Sequence, residues 1–136
     1  MKAPAFDYVK PKHLSEVFAL IAKYDDEAKL LAGGQTLLAT LNMRLSEPSV
    51  LIDISGIDTM RGISVNRQTL RIGALTTHSE IEASKVVAAN APLLSKTAPH
   101  IAHRAIRNLG TIGGSVAYAD PAAEWRIDEL ARRLHV

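Results

Sequence analysis

The 136-residue sequence contains no cysteine, few aromatic residues and no long apolar run. The lack of cysteine excludes disulfides, thiolate catalysis, zinc–thiolate sites and a cysteine-ligated iron–sulfur cluster within these residues. If the chain takes part in electron transfer, its carrier must therefore be an organic cofactor.

Charge and aromatic content argue against a nucleic-acid-binding protein. The formal net charge is +2 and aromatic residues make up 4% of the chain, whereas nucleic-acid interfaces need a concentrated basic face with stacking aromatics. The apolar runs fall short of the roughly 18–20 residues that span a bilayer. The first seven residues lack the apolar core of a secretory signal. We therefore expect a cytoplasmic protein without membrane insertion.

Hydrophobic periodicity predicts strands that alternate with helices in the first half of the chain, followed by a hairpin and then by helices. This order indicates an α+β or α/β fold in two lobes, with the seam near 55–58. We place the first lobe at 1–55 and the second at 56–136. The predicted strands are 6–9, 28–32, 49–54, 62–65 and 69–73. Helices are predicted at 14–24, 36–43, 93–105 and 127–134, and a further helix begins at the capping pattern 77–80. Pro99 is expected to kink or break the helix at 93–105.

Two segments combine a glycine pair with a hydroxyl residue. They are the first bend, Ala32-Gly33-Gly34-Gln35-Thr36, and the second bend, Thr111-Ile112-Gly113-Gly114-Ser115. Glycine allows positive φ and close approach of a ligand, and exposed amides favour an anion such as a pyrophosphate. Neither bend matches the dinucleotide or P-loop fingerprint, and tight turns use glycine pairs without any ligand. From these residues alone, a phosphate cradle and a purely structural turn stay equally open.

Six motifs, in order, resemble those of the flavin subunits of molybdopterin dehydrogenases. This family includes the medium subunit of aerobic carbon monoxide dehydrogenase and the flavin domain of xanthine dehydrogenase. The motifs are Phe6-Asp7-Tyr8-x-x-Pro11, Leu31 to Leu38, Leu51 to Ile54, Ile72 to Thr77, Thr111 to Ser115 and Asp120 to Glu124. The resemblance implies a two-lobed FAD-binding domain of the vanillyl-alcohol-oxidase/PCMH type, with FAD in the cleft between the lobes.

The resemblance also implies which residues contact the cofactor. The first bend would hold the FAD pyrophosphate through backbone amides, and the second bend would wrap the other side of the diphosphate and the ribityl chain. Thr76 and Asp120 would contact the flavin or the ribityl hydroxyls. Since the isoalloxazine ring carries the chemistry, no catalytic side chain and no metal ligand is expected.

The implied function is that of an FAD-dependent oxidoreductase component, which passes electrons from an iron–sulfur subunit through flavin to an acceptor. The implied partners are a small 2Fe-2S subunit and a large molybdenum-cofactor subunit. Family members are longer, so we also expect a C-terminal truncation, an incomplete second lobe, no C-terminal domain and weakened FAD binding. Two alternatives stay open: a non-catalytic remnant that acts as an interaction module, and an unrelated nucleotide-binding domain.

Several other polar residues have a functional and a structural interpretation. His100 and His103 are three apart on a predicted helix, but solvated histidines are commoner than a metal pair. Arg104 and Arg107 are expected to face solvent rather than a phosphate. Tyr118 is expected to pack rather than to stack on a flavin.

Overall fold

The computed structural model describes residues 2–119, which form two small sheets and seven short α-helices. The predicted mixture of strands and helices is confirmed. Asp120 and the helix predicted at 127–134 lie outside the described residues. The elements are β1 (Asp7–Val9), α1 (Leu14–Tyr24), β2 (Ala28–Leu31), α2 (Leu37–Asn42), β3 (Val50–Asp53), β4 (Ile63–Asn66), β5 (Thr69–Ile72), α3 (His78–Ala83), α4 (Lys85–Asn90), α5 (Pro92–Thr97), α6 (Arg104–Arg107) and α7 (Ile112–Tyr118), with 3₁₀ turns at Asp25–Glu27, Asp58–Met60 and Ala98–His100.

The first three strands form a parallel sheet in the order β1-β3-β2. The central strand β3 is buried at all four positions, as expected for an apolar run with a neighbour on each side. Leu51 of β3 pairs with Tyr8 on one side and with Lys29 on the other. Parallel strands end at the same edge of a sheet, so the first bend, which follows β2, starts where β3 also ends.

The second half of the chain consists of the antiparallel hairpin β4–β5 and the helices α3 to α7. It contributes a second cluster of buried apolar residues that includes Ile81, Val87 and Leu94. The first cluster contains β3 and α1 residues together with Leu75. The chain therefore returns to the first sheet after the hairpin. The lobe boundary at 55/56 stays a prediction, and no helix between residues 2 and 119 is long and apolar enough to cross a bilayer.

The capping pattern at the start of α3 is confirmed. The hydroxyl of Thr77 accepts a hydrogen bond from the Glu80 amide at 3.2 Å, and the Thr77 amide donates to Glu80 Oε2 at 2.7 Å. This reciprocal pair satisfies two of the amides that a helix start leaves without an intrahelical partner.

The single helix predicted at 93–105 is wrong, although the break allowed at Pro99 is observed. Helix α5 ends at Thr97, a 3₁₀ turn follows, and α6 begins at Arg104. Proline has no N–H and its ring clashes with the preceding turn, which stops a continuous helix. The helical periodicity of 93–105 predicts that Ala98, Ile101, Ala102 and Ala105 are buried; Ala98 and Ile101 are buried, whereas Ala102 and Ala105 are exposed. Helix α4 was not predicted.

Candidate functional site

Both glycine bends line one cavity of about 420 Å³. The first bend forms one wall, the second bend and α7 form another, and the segments that follow β3 and β5 close the space between them. This arrangement confirms that the two bends lie together, although they are far apart in sequence. Nine of the predicted cofactor-binding residues line the cavity: Ala32, Gly33, Gly34, Gln35, Thr36, Thr111, Gly113, Gly114 and Ser115.

Three backbone amides of the first bend have no acceptor within the part of the chain that the structure describes. Within residues 2–119, no carbonyl or side chain accepts a hydrogen bond from the amides of Gly33, Gly34 or Gln35. The bend is fixed instead by the Gln35 side chain, whose Nε2 donates to the Gly33 carbonyl at 2.9 Å, and by a φ of +70° at Gly34. Half-buried amides without acceptors carry a free-energy cost, and an anionic ligand would remove it.

The second bend differs, because four of its amides donate within the fold, and the contact expected between this bend and the cofactor stays a prediction. The Ile112 amide donates to the Thr76 carbonyl at 3.0 Å, and the Gly113 amide donates to the Ala74 carbonyl at 2.8 Å. The Gly114 and Ser115 amides donate to the hydroxyl and carbonyl of Thr111. These amides are used because the bend is the first turn of α7 and also pairs with the segment after β5. The second bend therefore offers hydroxyl groups to the cavity.

Two of the glycines are required by contacts between backbones. A Cβ on Gly33 would lie 2.2 Å from the Leu109 carbonyl oxygen, and a Cβ on Gly113 would lie 2.7 Å from the Ala74 carbonyl oxygen. No real Cβ tolerates such distances. The absence of a side chain at Gly33 therefore lets the first bend touch the segment that leads into the second bend, which brings the two cavity walls together.

The lining is apolar and carries a single positive charge. Among the described residues that line the cavity, Lys29 is the only charged one. No sequence pattern identified Lys29 or the apolar wall residues, because whether a residue lines the cavity depends on how distant segments pack. The position of Lys29 on the strand that leads into the first bend was the one available signal. The missed lining residues are Lys29, Leu30, Leu37, Ile54, Met60, Ala74, Leu75, Gly110 and Ala117.

Two predicted contact residues do not line the cavity. The Thr76 hydroxyl is 1% exposed and bonds both the amide and the carbonyl of Gly62 at 3.2 Å. Ile112 packs against the cluster of buried residues in the second half of the chain. The Thr76 hydroxyl therefore has a structural role between the segments at Gly62 and Thr76, and the flavin contact expected for Thr76 stays a prediction. Asp120, the remaining predicted contact, lies outside the described residues.

Arg107 faces neither solvent nor a phosphate. Its guanidinium donates to Glu82 at 2.9 Å and to the carbonyls of Pro99, Ile101 and Ala102 at 2.9–3.1 Å. It therefore holds the turn between α5 and α6, a role that the sequence did not reveal.

Tyr118 lies at the cavity, whereas His100 and His103 do not line it. Tyr118 lines the cavity and its hydroxyl lies 2.7 Å from Thr40 Oγ1. His100 ends a 3₁₀ turn and His103 precedes α6, so the two do not share a helix. No group of three potential metal-ligating side chains is found among residues 2–119.

A buried carboxylate at the end of β3 directly precedes Ile54, one of the residues that line the cavity. Asp53 is 6% exposed, accepts a hydrogen bond from the Tyr8 hydroxyl and from the Ser55 amide, and lies 3.2 Å from Lys10 Nζ. Burial raises the pKa of the Asp53 carboxyl, but the hydrogen bonds from Tyr8, Ser55 and Lys10 outweigh this effect and lower the pKa to about 2. The ionised side chain ties β1 to β3 next to the cavity residue Ile54.

Comparison with known proteins gives a family match. The model of the FAD-binding domain in molybdopterin dehydrogenase matches residues 4–131. The alpha subunit of the 6-hydroxypseudooxynicotine dehydrogenase complex of Paenarthrobacter nicotinovorans is 46% identical over 136 residues, which is 100% of this chain and 46% of that protein. The carbon monoxide dehydrogenase medium chain of Hydrogenophaga pseudoflava is 39% identical and is aligned over 99% of this chain and 47% of its own length.

Solved structures agree with this match. Quinoline 2-oxidoreductase from Pseudomonas putida 86 superposes with a TM-score of 0.87 and 44% sequence identity, covering 91% of this chain and 43% of that one. The Cu,Mo-CO dehydrogenase structure gives a TM-score of 0.88 at 36% identity. The chain thus spans less than half the length of the relatives it matches.

Proposed function

This chain belongs to the family of FAD-binding domains of molybdopterin dehydrogenases, whose cofactor is FAD, and on that basis we propose that it holds FAD in the cavity between its two glycine bends. The observation that carries the proposal is the set of three amides, those of Gly33, Gly34 and Gln35, that have no acceptor within residues 2–119 and line this cavity. Membership of the family sets aside the alternative of an unrelated nucleotide-binding domain.

The residues of the cavity fit the chemistry of FAD. The diphosphate is an anion, and the first bend offers amides to it while Lys29 supplies a positive charge. The hydroxyls of Thr111 and Ser115, which also line the cavity, add donors from the second bend. The apolar walls suit flat aromatic rings and exclude water from them. The cavity of about 420 Å³ is within the range of small-molecule sites.

The proposed role is that of an FAD-dependent oxidoreductase component. When bound, FAD supplies a carrier for electrons that pass from an iron–sulfur subunit to an acceptor such as NAD⁺ or a quinone. The residues of this chain bind and orient that carrier. No general acid or base is assigned, because the part of the chain between residues 2 and 119 places no carboxylate or histidine side chain among the lining residues.

Comparing the binding of FAD with that of its fragments tests the proposal. The purified chain, stripped of bound flavin, is titrated with FAD, ADP and riboflavin by fluorescence and by thermal shift. Since the proposed contacts are to the diphosphate, FAD and ADP should bind and riboflavin should bind much more weakly. Equal affinity for FAD and riboflavin, or no binding of FAD, would contradict the proposal. The FAD affinity, set beside that of a full-length relative, also tests the expected weakening.

The charge of Lys29 provides a matched pair of variants. Lys29→Met should weaken FAD and ADP binding by about two- to fivefold, because the side chain is exposed and its attraction to phosphate is screened by water. Lys85→Met removes an equal charge at the start of α4, which does not line the cavity. This control should leave both affinities unchanged at constant ionic strength. A similar loss in both variants would indicate a general charge effect.

We further propose that the chain acts with a small 2Fe-2S subunit and a large molybdenum-cofactor subunit. One relative is named as a subunit of a dehydrogenase complex and another as a medium chain. The absence of cysteine means that a cysteine-ligated cluster cannot lie within these 136 residues. Affinity purification of the tagged chain from its native cells should recover one iron–sulfur protein and one molybdenum protein. Recovery of neither, from cells that express both, would support the non-catalytic remnant instead.

A further inference from the structure

A buried histidine contacts the second bend from behind the cavity wall. His78 is the first residue of α3 and is 2% exposed. Its amide donates to the Gly110 carbonyl at 3.0 Å, and its ring lies so close to Gly110 that a Cβ there would be 3.0 Å from Cδ2. An apolar side chain would fill this space without the cost of burying ring nitrogens. The choice of histidine therefore calls for a polar function.

The ring reaches one of the hydroxyls that line the cavity. His78 Nε2 lies 3.1 Å from Ser115 Oγ, and Ser115 faces the cavity while His78 does not. Because the amides of Ile112 to Ser115 donate within the fold, the hydroxyls of Thr111 and Ser115 are the polar side-chain groups that this bend offers to a ligand. An isolated serine hydroxyl rotates between several positions. A bond from His78 selects one of them.

We propose that His78 is a positioning residue for the cofactor and that it donates from Nε2 to Ser115 Oγ. With Oγ acting as acceptor toward the ring, the hydroxyl proton of Ser115 stays available to donate to a phosphate oxygen of FAD. The opposite arrangement, in which Ser115 donates to an unprotonated Nε2, would present only lone pairs to an anion. This inference rests on the proposed FAD binding and extends it to a residue outside the cavity.

A double-mutant cycle measures the coupling between the two side chains. His78→Phe keeps the ring shape and removes the donor, so FAD should bind about three- to tenfold more weakly, as expected for one neutral hydrogen bond. His78→Gln places an amide N–H near the position of Nε2 and should restore most of the affinity. In a Ser115→Ala background, which itself weakens binding, His78→Phe should cause no further loss.

Three outcomes would overturn the role of His78 while leaving FAD binding intact. These are an equal loss from His78→Phe with and without Ser115, no rescue by glutamine, and wild-type affinity in Ser115→Ala. Each would show that the histidine acts only in packing or not at all. Absence of FAD binding in the wild-type protein would instead refute the proposed function.

A measurement on the unmodified protein covers the case in which His78→Phe does not fold. Nitrogen-15 NMR of the imidazole reports which ring nitrogen carries the proton. We expect a proton on Nε2 of His78 in the FAD-bound protein. A ring that is protonated on Nδ1 alone would overturn the proposal directly.

Discussion

Replacing Gly33 with alanine distinguishes two explanations for the first bend. If glycine is needed only so that a ligand can approach, the change should affect FAD binding and leave the ligand-free protein as stable as before. If glycine is needed so that two backbones can touch, the ligand-free protein should lose stability. The structure favours the second explanation, because a Cβ at this position would lie 2.2 Å from the Leu109 carbonyl oxygen and 2.8 Å from Gly110 Cα.

The magnitude follows from the size of that overlap. Real Cβ contacts essentially never fall below 3.0 Å, and the neighbouring atoms are backbone, which cannot rotate away as a side chain does. The two bends would have to separate by roughly an ångström, at a cost of about 3 kcal/mol. Alanine also restricts the unfolded chain, which returns up to about 1 kcal/mol. The net loss of about 2 kcal/mol corresponds to a fall in Tm of roughly 8 °C.

The same separation moves the two cavity walls apart. A ligand that bridges them would lose about one charge-assisted hydrogen bond, so FAD affinity should fall by about tenfold. Thermal unfolding of the ligand-free variant and FAD titration measure the two effects independently.

Gly56→Ala is the matched control. A Cβ at this position meets only the end of the flexible Lys10 side chain, at 3.2 Å, so the change in Tm should stay within about 2 °C. An unchanged Tm in Gly33→Ala, with FAD binding lost, would refute the argument from backbone contact. Equal losses of stability in both variants would refute it as well, since the effect would then belong to glycine replacement in general.

Two further predictions concern stability. Arg107→Met removes the bonds to Glu82 and to three carbonyls, so the free energy of unfolding measured in urea should fall by about 3 kcal/mol. The control Arg104→Met, on the same helix, should change this free energy by less than about 0.5 kcal/mol. Similar values for both variants would contradict the role assigned to Arg107. The folded-state pKa of Asp53, about 2, lies below its unfolded value near 4. The contribution of the ionised Asp53 side chain to the free energy of unfolding, on the order of 2 kcal/mol, should therefore be complete above pH 4 and be lost as the pH falls to 2. Asp53→Asn should be less stable than the wild-type protein at pH 7. In unfolding measurements between pH 7 and pH 2 it should also lack the loss of stability that the wild-type protein shows below pH 4; an unchanged loss would assign that loss to another group.

Local patterns in the sequence were sufficient for most of the secondary structure. The apolar spacing in 14–24 gave α1 within its observed bounds, and the Thr77–Glu80 capping pattern marked the start of α3. These features depend on residues within a turn or two of each other, so the sequence alone contains the information. Where the local pattern was mixed, at 93–105, the prediction merged α5, a 3₁₀ turn and α6 into one helix despite Pro99.

The sequence identified the two bends of the candidate site, and the structure shows how their polar groups are used within the fold. Glycine pairs beside hydroxyl residues identified both bends, and nine of the predicted residues line the cavity. The sequence did not reveal that the amides of Gly33, Gly34 and Gln35 have no acceptor within residues 2–119, whereas those of Ile112 to Ser115 donate within the fold. Nor did it reveal that Thr76 bonds Gly62. A glycine pair looks the same whether its amides face a ligand or the carbonyls of another segment. That difference depends on which distant strand the bend lies against.

The sequence by itself determined that no cysteine chemistry occurs within these residues, that short strands alternate with helices, and that two segments carry a glycine pair beside a hydroxyl residue. Only the tertiary structure decided that these bends enclose one cavity, that Arg107 holds a turn, and that His78 reaches Ser115 across 37 positions of sequence. The physical reason is that periodicity and turn chemistry are properties of neighbouring residues. Hydrogen-bond partners and cavity walls are set by packing between segments far apart in the chain.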